Sequence, residues 1–330
     1  MNIEKLKEIL NGIKTVSVGV IADFCVDIYW RADMKLSELS RETPHFPLPV
    51  IEERTSLGAG GNVAANLKAL GVKTVYALSV TGRDWRAEVV KGLIKSAGID
   101  GRFMITADGF LTPAYCKPLR TGINDLTYED PRLDFENRSP ISAQIEDEII
   151  KNIDAIAKVS NVLIVSDQFK CGICSERVIN CISGTAKRMP VFVDSRNNII
   201  KYKNAFLKPN ETEIYNAFHN TRMQITDLGA KLSALNKKEV IVTTGGNGAY
   251  IINESGFELI ETVKEKPPVD VVGAGDTFIS ALAAGYAAKA NLKECVELGH
   301  LASGVTVKKI GMTGTASARE IAAKFEERMK

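Results

Sequence analysis

Apolar and polar positions along this chain fall into two alternating kinds of segment. Short β-branched or aromatic runs recur at "TVSVGVIADF", "KTVYALSV", "SNVLIVSD", "MPVFVDS", "NAFLKPN" and "KEVIVTTGG", and read as buried strands. Between several of them, "GNVAANLKALG", "WRAEVVKGLIKSAG" and "SAQIEDEIIKNIDAIAKVS" repeat apolar residues near the helical period. Strands alternating with helices predict an α/β fold, with right-handed crossovers and a mostly parallel central sheet covered by helices on both faces. Ligands of such sheets bind beyond the carboxyl ends of the strands. Asp23, Asp27, Asp167, Asp194, Asn210 and the turn from Gly245 to Gly248 are all expected there.

Two stretches break the alternation. "IYWRADMKLSELSRETPHFPLPVIEERTS" and "RFMITADGFLTPAYCKPLRTGINDLTYEDPRLDFENRS" carry proline, aromatics and short alternating patterns. They predict a small β lid over the site, from about residues 28–56 and 102–138, because long excursions from a compact domain are usually functional. A plain dimer contact is the other reading, and the two are compatible. No internal repeat or low-complexity tract interrupts the chain.

Composition adds exclusions. The 42 basic and 40 acidic residues leave a net charge of +2, so no overall field draws the protein to nucleic acid or to an anionic membrane. Any anionic ligand must be caught locally. The N-terminus lacks the order of a secretory signal, and no apolar run reaches the length of a membrane span, so a cytoplasmic protein is expected. With 330 residues and 45% hydrophobic content, a single domain over 1–330 has ample core. Cys25, Cys116, Cys181 and Cys295 sit in apolar runs and read as reduced core thiols. "CGIC", Cys171 to Cys174, lacks a second pair or a nearby histidine to complete a zinc ligand set.

The chemistry concentrates in a few motifs. In "VVGAGDTF" Asp276 follows Gly273, Ala274 and Gly275 and opens an apolar helix. A helix N-terminus with free N–H groups binds anions, and a carboxylate beside it can take the proton of an attacking hydroxyl. Asp276 could equally be a helix cap. "KPNETE" sets Asn210 and Glu213 three apart, hard oxygen donors suited to Mg²⁺ or its water shell, and also the spacing of a capping box. "VTTGGNGAY" gives Gly245, Gly246 and Gly248 to a turn that phosphates or a ribose can approach, although hairpins use the same turn. "LGAGGNVAANLKALG" brings Gly58, Gly60 and Gly61 up to Asn62, whose amide can hydrogen-bond a polyol. Neither a GxxxxGK[ST] loop nor a GxGxxG after the first strand is present, which argues against a P-loop NTPase and a Rossmann dehydrogenase.

Together these four ordered motifs resemble the ribokinase-like, or PfkB, family of carbohydrate kinases over essentially the whole chain. Within it the chain is most similar to the kinase domain of bacterial heptose-phosphate kinases, through "ADFCVDIYW", "RLDFEN" (Arg132 to Asn137), "SDQFKCG" (Ser166 to Gly172) and "VKKIGMTGT". It departs from them in having Ala22-Asp23 where Gly-Asp is usual, and "LSRETPHFPLP" in the lid. The chain is expected to end soon after the kinase domain, with no nucleotidyltransferase domain attached.

The resemblance implies that Asp276 is the catalytic base and that Gly273, Ala274 and Gly275 form the anion hole. It implies that Asn210 and Glu213 position Mg·ATP, that Thr243, Gly245 and Gly248 form the nucleotide loop, and that His300 lies near the adenine. Asp27, Gly60, Gly61 and Asn62 match sugar-contacting positions, with Asp23 beside them. Asp270 matches a position that helps hold a monovalent cation such as K⁺, and the lid implies a homodimer.

The expected activity is ATP-dependent transfer of the γ-phosphate to a hydroxyl of a sugar or sugar phosphate, a heptose 7-phosphate-like acceptor favoured. A phosphorylated acceptor needs cations, for which Arg132, Lys170, Arg120 and Arg196 are candidates. The alternatives are a nucleoside kinase of the same fold, stacking its base on Phe46, Tyr29 or Trp30, and a non-catalytic sugar-phosphate-binding protein.

Overall fold

The computed structural model describes residues 1–219, 222–311 and 313–329; Met312, within the "VKKIGMTGT" stretch, lies outside the described residues. Helix α1 (Ile3–Ile13) starts where Asn2 accepts the Lys5 N–H, and buries Leu6, Ile9, Leu10 and Ile13, the spacing of one helical face. Then come β1 (Ser17–Ala22), β2 (Phe24–Asp33), β3 (Val50–Ala59), α2 (Gly60–Leu70), β4 (Thr74–Leu78), β5 (Val80–Thr81) and α3 (Trp85–Ser96). β6 (Ile105–Thr106), β7 (Ala114–Thr121), β8 (Thr127–Glu129), β9 (Leu133–Phe135), α4 (Ala143–Val159), β10 (Val162–Asp167), α5 (Glu176–Thr185) and β11 (Val191–Ser195) follow. The last third holds β12 (Phe206–Leu207), α6 (Glu211–Phe218), α7 (Ile225–Asn236), β13 (Val240–Thr243), β14 (Ala249–Asn253), β15 (Gly256–Ile260), α8 (Ala274–Ala287), α9 (Leu292–Thr306) and α10 (Ala318–Arg328). Among the described residues no helix is long and apolar enough to cross a membrane.

The main sheet runs β15-β14-β13-β12-β11-β10-β1-β4. From β13 to β4 every pairing is parallel, and β14 and β15 turn back antiparallel at one edge. Alternate strand residues feed two cores. Val18, Val20, Val162 and Ile164 pack under α1, α2, α8 and α9, while Ile21, Leu163, Val165 and Val193 pack under α4, α5 and α7. Parallel strands buried on both faces therefore read as continuous apolar runs. The chain leaves β1 toward β4 on one side and returns as β10 on the other, so the crevice for a ligand opens at the carboxyl ends of β1 and β10.

The lid is a separate sheet ordered β3-β2-β7-β8, with β9 paired to β7. Its strands span 24–59 and 114–135, so the expected first segment began too late and the second too early. The physical reason is continuity: β2 follows β1 with only Asp23 between them, and β3 runs directly into α2. No polar turn marks either passage.

Asp23 occupies that junction and is 2% exposed. Its Oδ1 accepts the Ile173 N–H at 2.8 Å, from the loop after β10, and a side chain on Gly172 would collide with its carboxylate. Oδ2 is buried with no hydrogen-bond partner among the described residues. Asp23 thus lies beneath the ligand crevice and holds the 168–173 loop.

Burial, eased by the loop N–H groups, pushes the Asp23 pKa up to about 7 from 3.8. A raised carboxyl binds its proton more tightly in the folded state, so its favourable contribution is complete below pH 4 and is lost as pH rises through 7, at a cost of roughly 4 kcal/mol. Asp23→Asn keeps an oxygen for Ile173 and removes that dependence. In urea denaturation the variant is expected to gain on the parent between pH 4.5 and 8, and a gap that stays constant would show that Asp23 is not raised.

Candidate active site

Helix α8 begins at Gly273, whose φ of +77° is a left-handed conformation natural to glycine. A β-carbon there would press on Asn62 Nδ2 at 2.9 Å and Thr313 Cγ2 at 3.0 Å, so glycine is needed for closeness as well as for φ. Ser280 Oγ donates to the Asp276 carbonyl at 2.6 Å and Ser303 Oγ to the Ala274 carbonyl at 3.0 Å, which tie down the first turn. The Ala274 N–H is turned back on the Val271 carbonyl. The N–H groups of Gly275 and Asp276 find no acceptor among the described residues, so the free donors of this first turn include Gly275 and Asp276 but not Ala274.

Asp276 makes no cap for its own helix. Its Oδ2 accepts Asn62 Nδ2 at 2.8 Å and its Oδ1 accepts Gln168 Nε2 at 3.4 Å. Both partners come from other elements: Asn62 from the first turn of α2, Gln168 from the loop after β10. Burial pushes the Asp276 pKa up to about 7, with Asn62 opposing and Asp194 adding to the rise. A carboxylate so placed can exchange a proton near neutral pH.

On one side of Asp276 lies a cleft of about 550 Å³, the size of a small-molecule site. Asn210, Thr243, Gly245, Gly248, Ala274, Gly275 and His300 all line it, bringing together residues nearly a hundred positions apart. Gly245 (φ +56°) and Gly248 (φ +106°) make the turn after β13. His300 is buried and donates Nε2–H to the Ile260 carbonyl at 3.1 Å, and burial lowers its pKa to about 4. It therefore presents a neutral ring, edge to face with Phe278.

Asn210 and Glu213 form a full capping box at the start of α6. Burial, with repulsion from Asp194, pushes Glu213 up to about 7. Lys208, two residues before Asn210, is buried and pairs with Asp194 at 2.9 Å. Asp270 stands outside the cleft wall, its Oδ1 accepting the Val272 N–H and its Oδ2 the Gly311 N–H. Among the described residues no group of three or more histidine, cysteine, aspartate or glutamate side chains is set to hold a metal ion.

On the other side of Asp276 stands the inner face of the lid. Cys25, Asp27 and Tyr29 of β2 share that face with Tyr115 and Lys117 of β7 and with Ser56 and Arg54 of β3. Asp27 Oδ2 accepts Lys117 Nζ and Thr313 Oγ1, each at 3.1 Å. Burial alone would lower the Lys117 pKa, but Asp27 and Tyr29 outweigh it and hold it above its ordinary value. The Tyr29 ring lies between Arg54 at 4.3 Å and Lys117 at 4.7 Å. Tyr115 stacks on Phe169, and with Cys25 and Ala59 they make a small apolar wall.

Other expectations fare unevenly. Arg132 lies 4.2 Å over the Tyr115 ring and pairs with Asp134. Arg120 shares the opposite lid face with Cys116 and Pro118 and pairs with Asp130, so strand parity turns it away from the site. Lys170 and Arg196 are exposed at the ends of β10 and β11. Asp167 is consumed inside the fold, accepting Ser195, Asn198 and Tyr202 on one oxygen. Gly60 and Gly61 are closed over by Ala22 and Leu57, so they serve the crossing of α2 over β1 rather than an open surface. Of the base-stacking candidates, Tyr29 has cations on its ring, Trp30 donates to Glu53, and Phe46 is 63% exposed in the 37–49 segment. Cys171 and Cys174 are free thiols, Cys174 buried and raised by burial. Lys117, Gln168, Thr313 and Lys208 went unnoticed in the sequence; Lys208, Gln168 and Thr313 had a signal, standing inside motifs already singled out.

Comparison with known proteins gives these placements a family. The model of the pfkB family carbohydrate kinases matches residues 32–319. The bifunctional protein HldE of Geotalea uraniireducens is 30% identical over 98% of this chain, and that of Trichlorobacter lovleyi 31% identical over 98%. The chain spans 66% of the length of each. Among solved structures, Arabidopsis thaliana ribokinase complexed with ribose and ATP is similar with a TM-score of 0.69 at 17% identity, covering 94% of this chain and 99% of that one. Phosphofructokinase-2 from Escherichia coli, in complex with potassium, gives a TM-score of 0.73 at 17% identity over 96% and 100%. These structural likenesses establish the ribokinase-like α/β fold. With a family model matched across most of its length, the chain belongs to the pfkB family of carbohydrate kinases, ATP-dependent enzymes that phosphorylate sugars.

Proposed function

We propose that the protein transfers the γ-phosphate of ATP to a hydroxyl of a sugar phosphate, with a heptose 7-phosphate-like acceptor favoured. The observation that supports this most is Asp276, released from capping and held by Asn62 and Gln168 between the nucleotide cleft and the lid. The acceptor oxygen attacks the γ-phosphorus in line. A new O–P bond forms as the bond to the β–γ bridging oxygen breaks, ADP leaves with that electron pair, and the acceptor proton passes to Asp276. The N–H groups of Gly275 and Asp276 face the charge on the moving phosphoryl group. Thr243, Gly245 and Gly248 flank the nucleotide, and neutral His300 floors its base.

The donor set fits Mg²⁺. Asn210 and Glu213 offer hard oxygens, and Glu213, raised by burial and by Asp194, gains from a cation nearby. When bound, Mg²⁺ supplies charge neutralisation on the phosphates. Asp270 keeps lone pairs for a monovalent cation such as K⁺ beyond the two N–H groups it accepts. On the acceptor side, Asp27 and Asn62 meet hydroxyls, and Arg54 and Arg132, lying over Tyr29 and Tyr115, meet a phosphate. Lys170 stands at the rim. The covered Tyr29 ring gives no support to a nucleoside acceptor.

The lid carries exposed apolar residues, Leu36, Leu39 and Phe46 in its first segment and Ile123, Leu126 and Leu133 in its second, and a patch of that kind favours pairing with a second copy. The six free thiols suit the cytoplasm.

Four outcomes test this reading. ADP release across free sugars, sugar monophosphates including heptose 7-phosphate, and nucleosides should occur with sugar monophosphates. Asp276→Asn should lower kcat by about 10³-fold with acceptor binding intact, whereas tight binding without turnover in the parent would mark a non-catalytic binder. Because Asp276 acts only deprotonated and its pKa is raised to about 7, kcat/KM should fall tenfold per unit below pH 7, also in Glu213→Gln, and a flat profile from pH 5.5 to 8 would remove Asp276 as the base. Sedimentation should show a dimer that Leu39→Glu with Phe46→Glu converts to monomer; an unchanged mass would place any pairing elsewhere.

A further inference from the structure

Lys208 follows β12 directly and is 2% exposed, yet it lines the nucleotide cleft. Its backbone N–H donates to the Val193 carbonyl at 2.8 Å, which fixes its place on the sheet. One ammonium hydrogen bond goes to Asp194 Oδ2 at 2.9 Å. An ammonium has three donors, and among the described residues no acceptor meets the other two. A β-carbon on Gly275 would stand 3.8 Å from Lys208 Nζ and 3.9 Å from Asp194 Oδ2. The ammonium therefore lies directly beneath the turn that carries the anion-facing N–H groups.

Stability does not account for such a residue. Buried lysines are rare, and a buried ion pair seldom outperforms apolar residues of the same volume. The surroundings are also unbalanced, because Asp194, Glu213 and Asp276 all act on this one cation. What the position offers is a fixed positive charge at the end of the cleft nearest Asp276, with two free donors.

We propose that Lys208 is a further catalytic residue, whose ammonium binds the phosphates of ATP at the transferring end and neutralises charge on the γ-phosphoryl group and on the departing oxygen of ADP. The inference rests on the kinase reading above and deepens it. Bond making and breaking are unchanged: Lys208 keeps its proton throughout, and the acceptor proton still goes to Asp276. Glycine at 275 is then required, because a side chain would come between the N–H groups and the ammonium.

The test pairs Lys208→Met with the double variant Lys208→Met/Asp194→Asn, which removes the ion pair without leaving a buried charge. Turnover is measured with the best acceptor, and binding of a non-hydrolysable ATP analogue and of ADP is measured by calorimetry. Both variants are expected to lose about 10²- to 10³-fold in kcat and at least tenfold in their preference for the ATP analogue over ADP. Recovery of parental kcat in the double variant would show that Lys208 serves only to neutralise Asp194, and would overturn the proposal, as would an unchanged preference for the ATP analogue in either variant. If Lys208→Met does not fold, the double variant decides alone. Should the parent turn over no acceptor, the kinase reading fails while the calorimetric comparison still decides whether Lys208 meets the γ-phosphate.

Discussion

One hydrogen bond fastens the two halves of this molecule. The Gly60 N–H donates to the Asp23 carbonyl at 2.9 Å, at the point where β1 passes into β2 and β3 passes into α2. A side chain at Gly60 would collide with the Ala22 methyl and stand 3.1 Å from the Asp23 carbonyl, so the crossing tolerates no β-carbon. Both long lid strands are thereby rooted at one spot on the main sheet. Two residues further along α2, Asn62 is in place to reach Asp276. The lid, the glycine-rich turn and Asp276 are all tied to the same crossing.

The electrostatics follow from where charge is buried rather than from how much there is. The chain is close to neutral overall, yet Asp23, Glu213 and Asp276 are each raised to about 7, chiefly by burial. Carboxylates gathered at strand ends repel one another, and cations are the natural relief. Lys208 and Lys117 supply part of it from within, one beneath the cleft and one on the lid. Local arrangement thus does what net charge does not.

Features confined to one stretch of chain were legible in the sequence. The parallel runs, the helix beginning at Asp276 and the glycine turn after β13 each depend on residues within a few positions of one another. Lys117 and Thr313 were not legible, because their value comes from meeting Asp27 across separations of 90 and 286 residues. Arg120 misled for a related reason: in a strand a single step reverses the face, and only the pairing of β7 with β2 sets which face is inward. Asp276 is the instructive case. Its sequence neighbours allow cap or base equally, and the cap is excluded by Asn62 and Gln168, two distant amides that hold the carboxylate away from its own helix.

The cleft beside Asp276 and the inner face of the lid are not positioned independently. Arg54 of the lid donates to the Gly311 carbonyl at 3.0 Å, and the Gly311 N–H donates to Asp270 at 2.9 Å. Asp270 in turn accepts the Val272 N–H, one residue before Gly273. Thr313 makes a second connection, since its hydroxyl meets Asp27 and lies 3.3 Å from the Tyr29 hydroxyl, while its methyl abuts the space a side chain on Gly273 would need. The lid sheet is therefore connected by two short routes to the backbone that opens α8. Phosphoryl transfer demands little covalent help and close alignment. A fold that ties the lid sheet to the turn opening α8 through five hydrogen bonds is built for that alignment.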